Sequence, residues 1–117
     1  MRFRRAFKPE TLRIFDDHHC YLGESIRWAC SRQRVLWLDI KSKLMFGKVN
    51  TDATPTVLSF DGYAGAIVFL NDHEIGLTYA NGLFTERSGE LFCREVFHFL
   101  DVSKVRMNDA RVDPFGN

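Results

Sequence analysis

From residue 25 onward this 117-residue chain is written as short segments of branched and aromatic residues, each ended within a few positions by Gly, Asn, Asp or Pro. That punctuation confines it to an all-β fold, since no segment is long enough for a core helix. Segments at 25–28, 35–40, 44–49 and 56–60 make one group of four, those at 65–70, 74–80, 82–86 and 91–97 a second, and a last one at 105–112 opens a third. The intervening stretches are short and polar, as hairpin turns require. Group starts recur about every 40 to 44 residues, the period of a propeller blade whose four antiparallel strands stack outward from a central channel.

A β-sandwich or small barrel would also show many short strands with turns every 8 to 12 residues or so. The propeller reading is preferred because Val35-Leu36-Trp37-Leu38-Asp39-Ile40 and Glu74-Ile75-Gly76-Leu77-Thr78-Tyr79-Ala80 hold equivalent places in their groups. Each follows a tight polar turn and precedes another strand. The expected architecture is all-β, about two four-stranded blades of an incomplete propeller, in residues 20–117. Residues 1–19 are expected to form a basic N-terminal arm and entry strand.

Composition narrows the function classes. A net charge of +1 provides no global field for nucleic acid, and no apolar run reaches the length of a membrane span. Neither a nucleic-acid nor a membrane partner is therefore expected. Arg2, Arg4, Arg5, Lys8 and Arg13 crowd the N-terminus, but the stretch is short and poor in serine, so a solvated arm fits better than a transit peptide. Cys20, Cys30 and Cys93 are odd in number and lack Cys-x-x-Cys spacing, which fits reduced thiols in a cytoplasmic protein. His18 and His19 are adjacent, so in an extended strand they leave on opposite faces and cannot chelate together; they read as turn or surface residues. Trp28, Trp37 and phenylalanines such as Phe92, Phe97 and Phe99 read as core between blades.

Leu22-Gly23-Glu24-Ser25, then Trp28, then residues 35–40, resemble the N-terminal signature of the regucalcin (senescence marker protein) and gluconolactonase family. A second anchor follows about 80 residues later in Val105-Arg106-Met107-Asn108-Asp109, with Asp113 and Gly116 behind it. Ala110 stands where that family usually has glycine, and Asn117 where arginine commonly follows the glycine. The resemblance implies a six-bladed propeller that hydrolyses sugar lactones with a divalent cation (Ca, Zn, Mn or Mg) at the mouth of its channel. It places Glu24 as a metal ligand and Arg106 and Asn108 as substrate-binding residues. The chemistry agrees: a carboxylate is a hard oxygen donor, and a guanidinium beside an amide can hydrogen-bond a lactone's hydroxyls and carbonyl. Two residues apart in a strand, Arg106 and Asn108 would share a face.

No catalytic general base is assigned. Asp39 at a strand end reads as a turn former, and Asp109 as a structural hydrogen-bond partner. One ligand position and two substrate contacts do not complete a site. The chain is thus expected to be a piece of a metal-dependent sugar-lactone hydrolase, inactive alone, with a sugar lactone as its small-molecule partner and self-association through open blade edges. The alternative is a non-catalytic truncated isoform or β-propeller interaction module.

Overall fold

The structure is a computed structural model that describes residues 12–98, 101 and 103–117. Arg2, Arg4, Arg5 and Lys8 of the basic arm, and Phe99, lie outside the described residues. Eight strands are present: β1 (Gly23–Ala29), β2 (Arg34–Asp39), β3 (Leu44–Lys48), β4 (Thr56–Ser59), β5 (Ala64–Phe69), β6 (Ile75–Tyr79), β7 (Gly82–Arg87) and β8 (Glu90–Val96). They form two antiparallel four-stranded sheets, in the orders β1-β2-β3-β4 and β5-β6-β7-β8. Each sheet is a pure meander. Short connections force neighbours in sequence to be neighbours in the sheet, and antiparallel pairing is the only arrangement a two- to seven-residue loop permits.

Turn chemistry fixes each hairpin. The tight β7–β8 loop puts both Ser88 and Gly89 at positive φ, 51° and 84°, the combination that matches the right-handed twist of paired strands. Lys43 at φ 60° closes the β2–β3 turn, where its amide donates to the Ile40 carbonyl at 3.1 Å. Asn50 and Asn71 use their side-chain oxygens to cap the loops that follow, accepting from Ala53 at 2.9 Å and Glu74 at 2.9 Å.

The core lies between the two sheets and is mostly aliphatic: Leu36, Leu38, Ile40, Met45, Ile67, Ile75 and Leu77 are all buried. β1 and β2 both pack on β5. This corrects the expectation that the large aromatics fill the space between sheets. Trp28 is half exposed, at 52%, and Phe92 is 46% exposed. Trp28 pairs with Val35 on β1's other face, while Arg27 and Ala29, its neighbours, oppose Leu36 and Arg34. Trp37 stacks on Phe46 with ring centroids 5.3 Å apart, away from the aliphatic core.

Two further expectations change. Residues 105–112 form no strand: Met107 lies against Gly65 of β5, yet none of these residues joins either sheet, although β5 is the edge strand of its own. The entry segment before β1 is also irregular. It is fastened by Lys48, 6% exposed, whose Nζ donates to the Phe15 carbonyl at 2.6 Å and to Asp16 Oδ2 at 3.0 Å.

Candidate functional site

The first strand of each sheet carries a β-bulge near its start, between Glu24 and Arg27 in β1 and between Ala64 and Ala66 in β5. In β1 the bulge is built on Ser25, a non-glycine residue at φ 56°. Glu24 opposes Leu38 and Arg27 opposes Leu36, so three residues of β1 span two of β2. That is the relation of same-face residues in a regular strand, achieved here by the extra residue.

Ser25 also joins the two sheets. Its Oγ accepts a hydrogen bond from the Ile67 amide at 2.8 Å, across 42 residues of chain. Gly65 lies directly against the Met107 carbonyl, so closely that a side-chain carbon there would collide with it, and this contact has the same 42-residue separation. The first contact sets β1 beside β5 and the second sets Met107 beside β5. Arg27, Phe69 and Arg111 line a cleft of about 200 Å³ with Ile67, Val68 and Val112, whereas the cleft that Glu24 lines includes neither Arg106 nor Asn108.

Glu24 is exposed and lines a cleft of about 440 Å³ with Phe15, Asp16, His18, Cys20 and Trp37. Among the described residues its carboxylate makes no hydrogen bond or ion pair, so its oxygens are open to a ligand. Arg106 Nη1 donates to Asn108 Oδ1 at 3.3 Å and to the Met107 carbonyl at 3.2 Å. The guanidinium and the amide thus lie together, as their spacing requires. Asp109 turns instead to Arg111 Nη1 at 2.7 Å and lies 3.7 Å from Arg27 Nη2. The Ala110 amide donates to it, and with the two guanidiniums this holds its carboxyl below the usual range.

Asp39 is fully buried and works as a fastener. Its Oδ2 accepts from the Tyr21 amide at 3.1 Å, and its Oδ1 from Leu22 at 3.0 Å and Ser42 at 3.4 Å. Burial alone pushes this carboxyl up, but the hydrogen bonds from Ser42, Leu22 and Tyr21 outweigh it and hold it low. The donor atoms of His18, Cys20 and Asp39 lie within 4.8 Å of one another. An adjacent histidine pair cannot chelate, but residues two apart can, and that alternation brings His18 and Cys20 to one side. Imidazole, thiol and carboxylate would suit zinc. Here, however, the carboxylate already accepts backbone hydrogen bonds at both oxygens, and burial beside it raises the Cys20 thiol, which disfavours the thiolate a metal needs.

With this geometry in place, comparison with protein families identifies the SMP-30/Gluconolactonase/LRE-like region across residues 22–117. The chain belongs to that family. No curated protein and no solved structure gave a match. The matched span starts at Leu22, one residue before β1, and takes in both sheets and the segment bearing Arg106 and Asn108. Among the described residues no helix is long and apolar enough to cross a membrane.

Proposed function

We propose that this chain supplies Glu24, Arg106 and Asn108 to the site of a metal-dependent sugar-lactone hydrolase of the gluconolactonase type. The observation that carries the reading is the family match across residues 22–117, which takes in both sequence anchors. Glu24, exposed and unpartnered, fits a hard-cation ligand, because a carboxylate already held by an arginine or a backbone amide would have to give that partner up. The chemistry a divalent cation supplies when bound is Lewis-acid polarisation of a carbonyl. Arg106 and Asn108 then orient the lactone through its hydroxyl and carbonyl oxygens.

A hard cation takes about six to eight oxygen donors, and Glu24 offers two at most. The 117 residues alone are therefore inactive in this reading, and turnover needs donors besides those described. The test is gluconolactone hydrolysis followed by proton release, with added Ca²⁺, Zn²⁺ or Mn²⁺. Negligible turnover by the isolated chain is expected. Metal-dependent turnover abolished by Glu24→Gln would refute the inactivity while keeping the ligand assignment; turnover unaffected by Glu24→Gln would remove the assignment itself.

A second reading, self-association, has its own support. β1 presents Ile26 and Trp28, 69% and 52% exposed. At the sheet margins, β8 carries Glu90, Arg94 and Glu95, which oppose edge-to-edge pairing, whereas the uncharged β4, Thr56–Ser59, does not. Association of copies through these surfaces predicts a concentration-dependent mass in sedimentation equilibrium. A monomer at all concentrations would exclude it.

A further inference from the structure

We propose that Arg27 and Arg111 form an anion-binding subsite that receives a negatively charged substituent, a carboxylate or phosphate ester, of the sugar-lactone substrate. The inference rests on the lactone-site reading above and deepens it by naming a substrate class.

Arg27 and Arg111 line one cleft of about 200 Å³ whose other walls include the apolar Ile67, Val68, Phe69 and Val112. Arg27 follows Glu24 by three residues and Arg111 follows Asn108 by three. Three residues of chain span at most about 10 Å, so the cleft lies within reach of an exocyclic group of a ring bound at Glu24 and Asn108. The local charge is unbalanced. Asp109 is the single carboxylate between the two guanidiniums, and its Oδ1 is committed to Arg111 at 2.7 Å. At 3.7 Å it is too far from Arg27 Nη2 for a hydrogen bond.

Among the described residues Arg27 Nη2 is buried with no hydrogen-bond partner, while Nη1 donates to the Ile26 carbonyl at 2.9 Å. A buried guanidinium nitrogen with an unmade bond is costly, and the apolar walls make any charge opposite it bind more strongly. An oxyanion in the cleft, with the Arg27 side chain turned toward it, would accept from both guanidiniums. The guanidinium fork suits such a group in two-point contact.

The experiment titrates the isotope-labelled chain, followed by amide NMR, with 1,5-anhydroglucitol, its 6-phosphate, methyl glucuronide and inorganic phosphate. None of these probes hydrolyses. The two charged rings are expected to bind about tenfold or more tighter than the neutral one, shifting the amides of Arg27 and Arg111. Arg27→Gln and Arg111→Gln should each remove most of that advantage while leaving the neutral ring's Kd unchanged, and Arg27→Lys should retain part of it. Because Arg111 is exposed, its variant tests the idea even if Arg27→Gln fails to fold. Equal affinity for charged and neutral rings, or an advantage surviving both Gln variants, overturns the subsite while leaving the lactone reading standing. Inorganic phosphate that binds and is lost on Arg27→Gln, with no ring shifting Glu24 or Asn108, keeps the subsite and overturns the lactone reading.

Discussion

Replacing Asp39 tests the central claim about how the entry to β1 is held. Its carboxylate is fully buried and accepts from the Leu22 amide at 3.0 Å, the Tyr21 amide at 3.1 Å and the Ser42 amide at 3.4 Å. A hydrogen bond to a charged group contributes about 1.5–3 kcal/mol. The first two are well formed and the third is long, so about 3–6 kcal/mol is at stake; water reaching exposed Tyr21 lowers this to about 3–4 kcal/mol for Asp39→Ala. Asp39→Asn keeps one acceptor oxygen and should cost about 2 kcal/mol. Urea unfolding followed by far-ultraviolet circular dichroism reads both values. Acid supplies an independent check. The folded carboxyl is held below its ordinary 3.8, so the folded state keeps the charge to lower pH than the unfolded chain. Its contribution is present above that ordinary value and is lost as the pH falls through the folded one. The stability gap between the native chain and Asp39→Asn should therefore narrow on acidification. An Asp39→Ala cost under about 1 kcal/mol, or a gap that widens in acid, would refute the fastening role.

Gly65→Ala drives a carbon into the Met107 carbonyl; it should cost about 1–3 kcal/mol and shift the NMR signals of Arg106 and Asn108, and unchanged signals would break the proposed register. Ser25→Ala leaves the Ile67 amide without its acceptor and should destabilise by about 1–3 kcal/mol in urea. Ser25→Gly loses the same bond but relieves the positive φ, and should cost about 1 kcal/mol less than Ser25→Ala. Lys48→Met removes the partner of Asp16, with Lys48 and Asp16 side chains 6% and 13% exposed; a loss of about 2–4 kcal/mol is expected. The Asp16 carboxyl, held low first by the His18 amide and then by Lys48, should move up in a carboxyl-detected NMR titration of that variant.

The eight strands could be read from the sequence because branched and aromatic residues alternate with polar ones and the connections are short and polar, most of them marked by Gly, Asn, Asp or Pro. Those signals are local. What could not be read depended on contacts across sheets. Trp28 and Phe92 are large and apolar, yet their faces are left open by pairing partners no single segment reveals. Residues 105–112 have strand composition, and Met107 lies against β5, the edge strand of its sheet, yet they pair with no strand: composition alone does not make a ladder. Arg106 and Asn108 came from the family resemblance, and the strand period invoked for them does not apply where residues 105–112 form no strand; His18 and Cys20, the pair that approaches Asp39, were passed over because only the adjacent histidines were weighed. Arg27 carried no signal at all, since one arginine in a strand gives no hint that a bulge will bring it into register with Glu24.

That bulge links fold to site. A non-glycine residue at φ 56° is disfavoured by about 1–2 kcal/mol, so a chain would shed it unless something compensated. Ser25 is compensated by its 2.8 Å bond to Ile67, which joins the two sheets and sets their register. The strained residue at once adds the extra position that aligns Glu24 with Arg27 and fixes how β5, and through Gly65 the Met107 segment, lies against β1. Deleting one residue of the bulge would turn Glu24 to the other face of β1 while leaving both hydrophobic faces of the sheets intact, so such a protein would keep its fold and lose the metal ligand proposed for it.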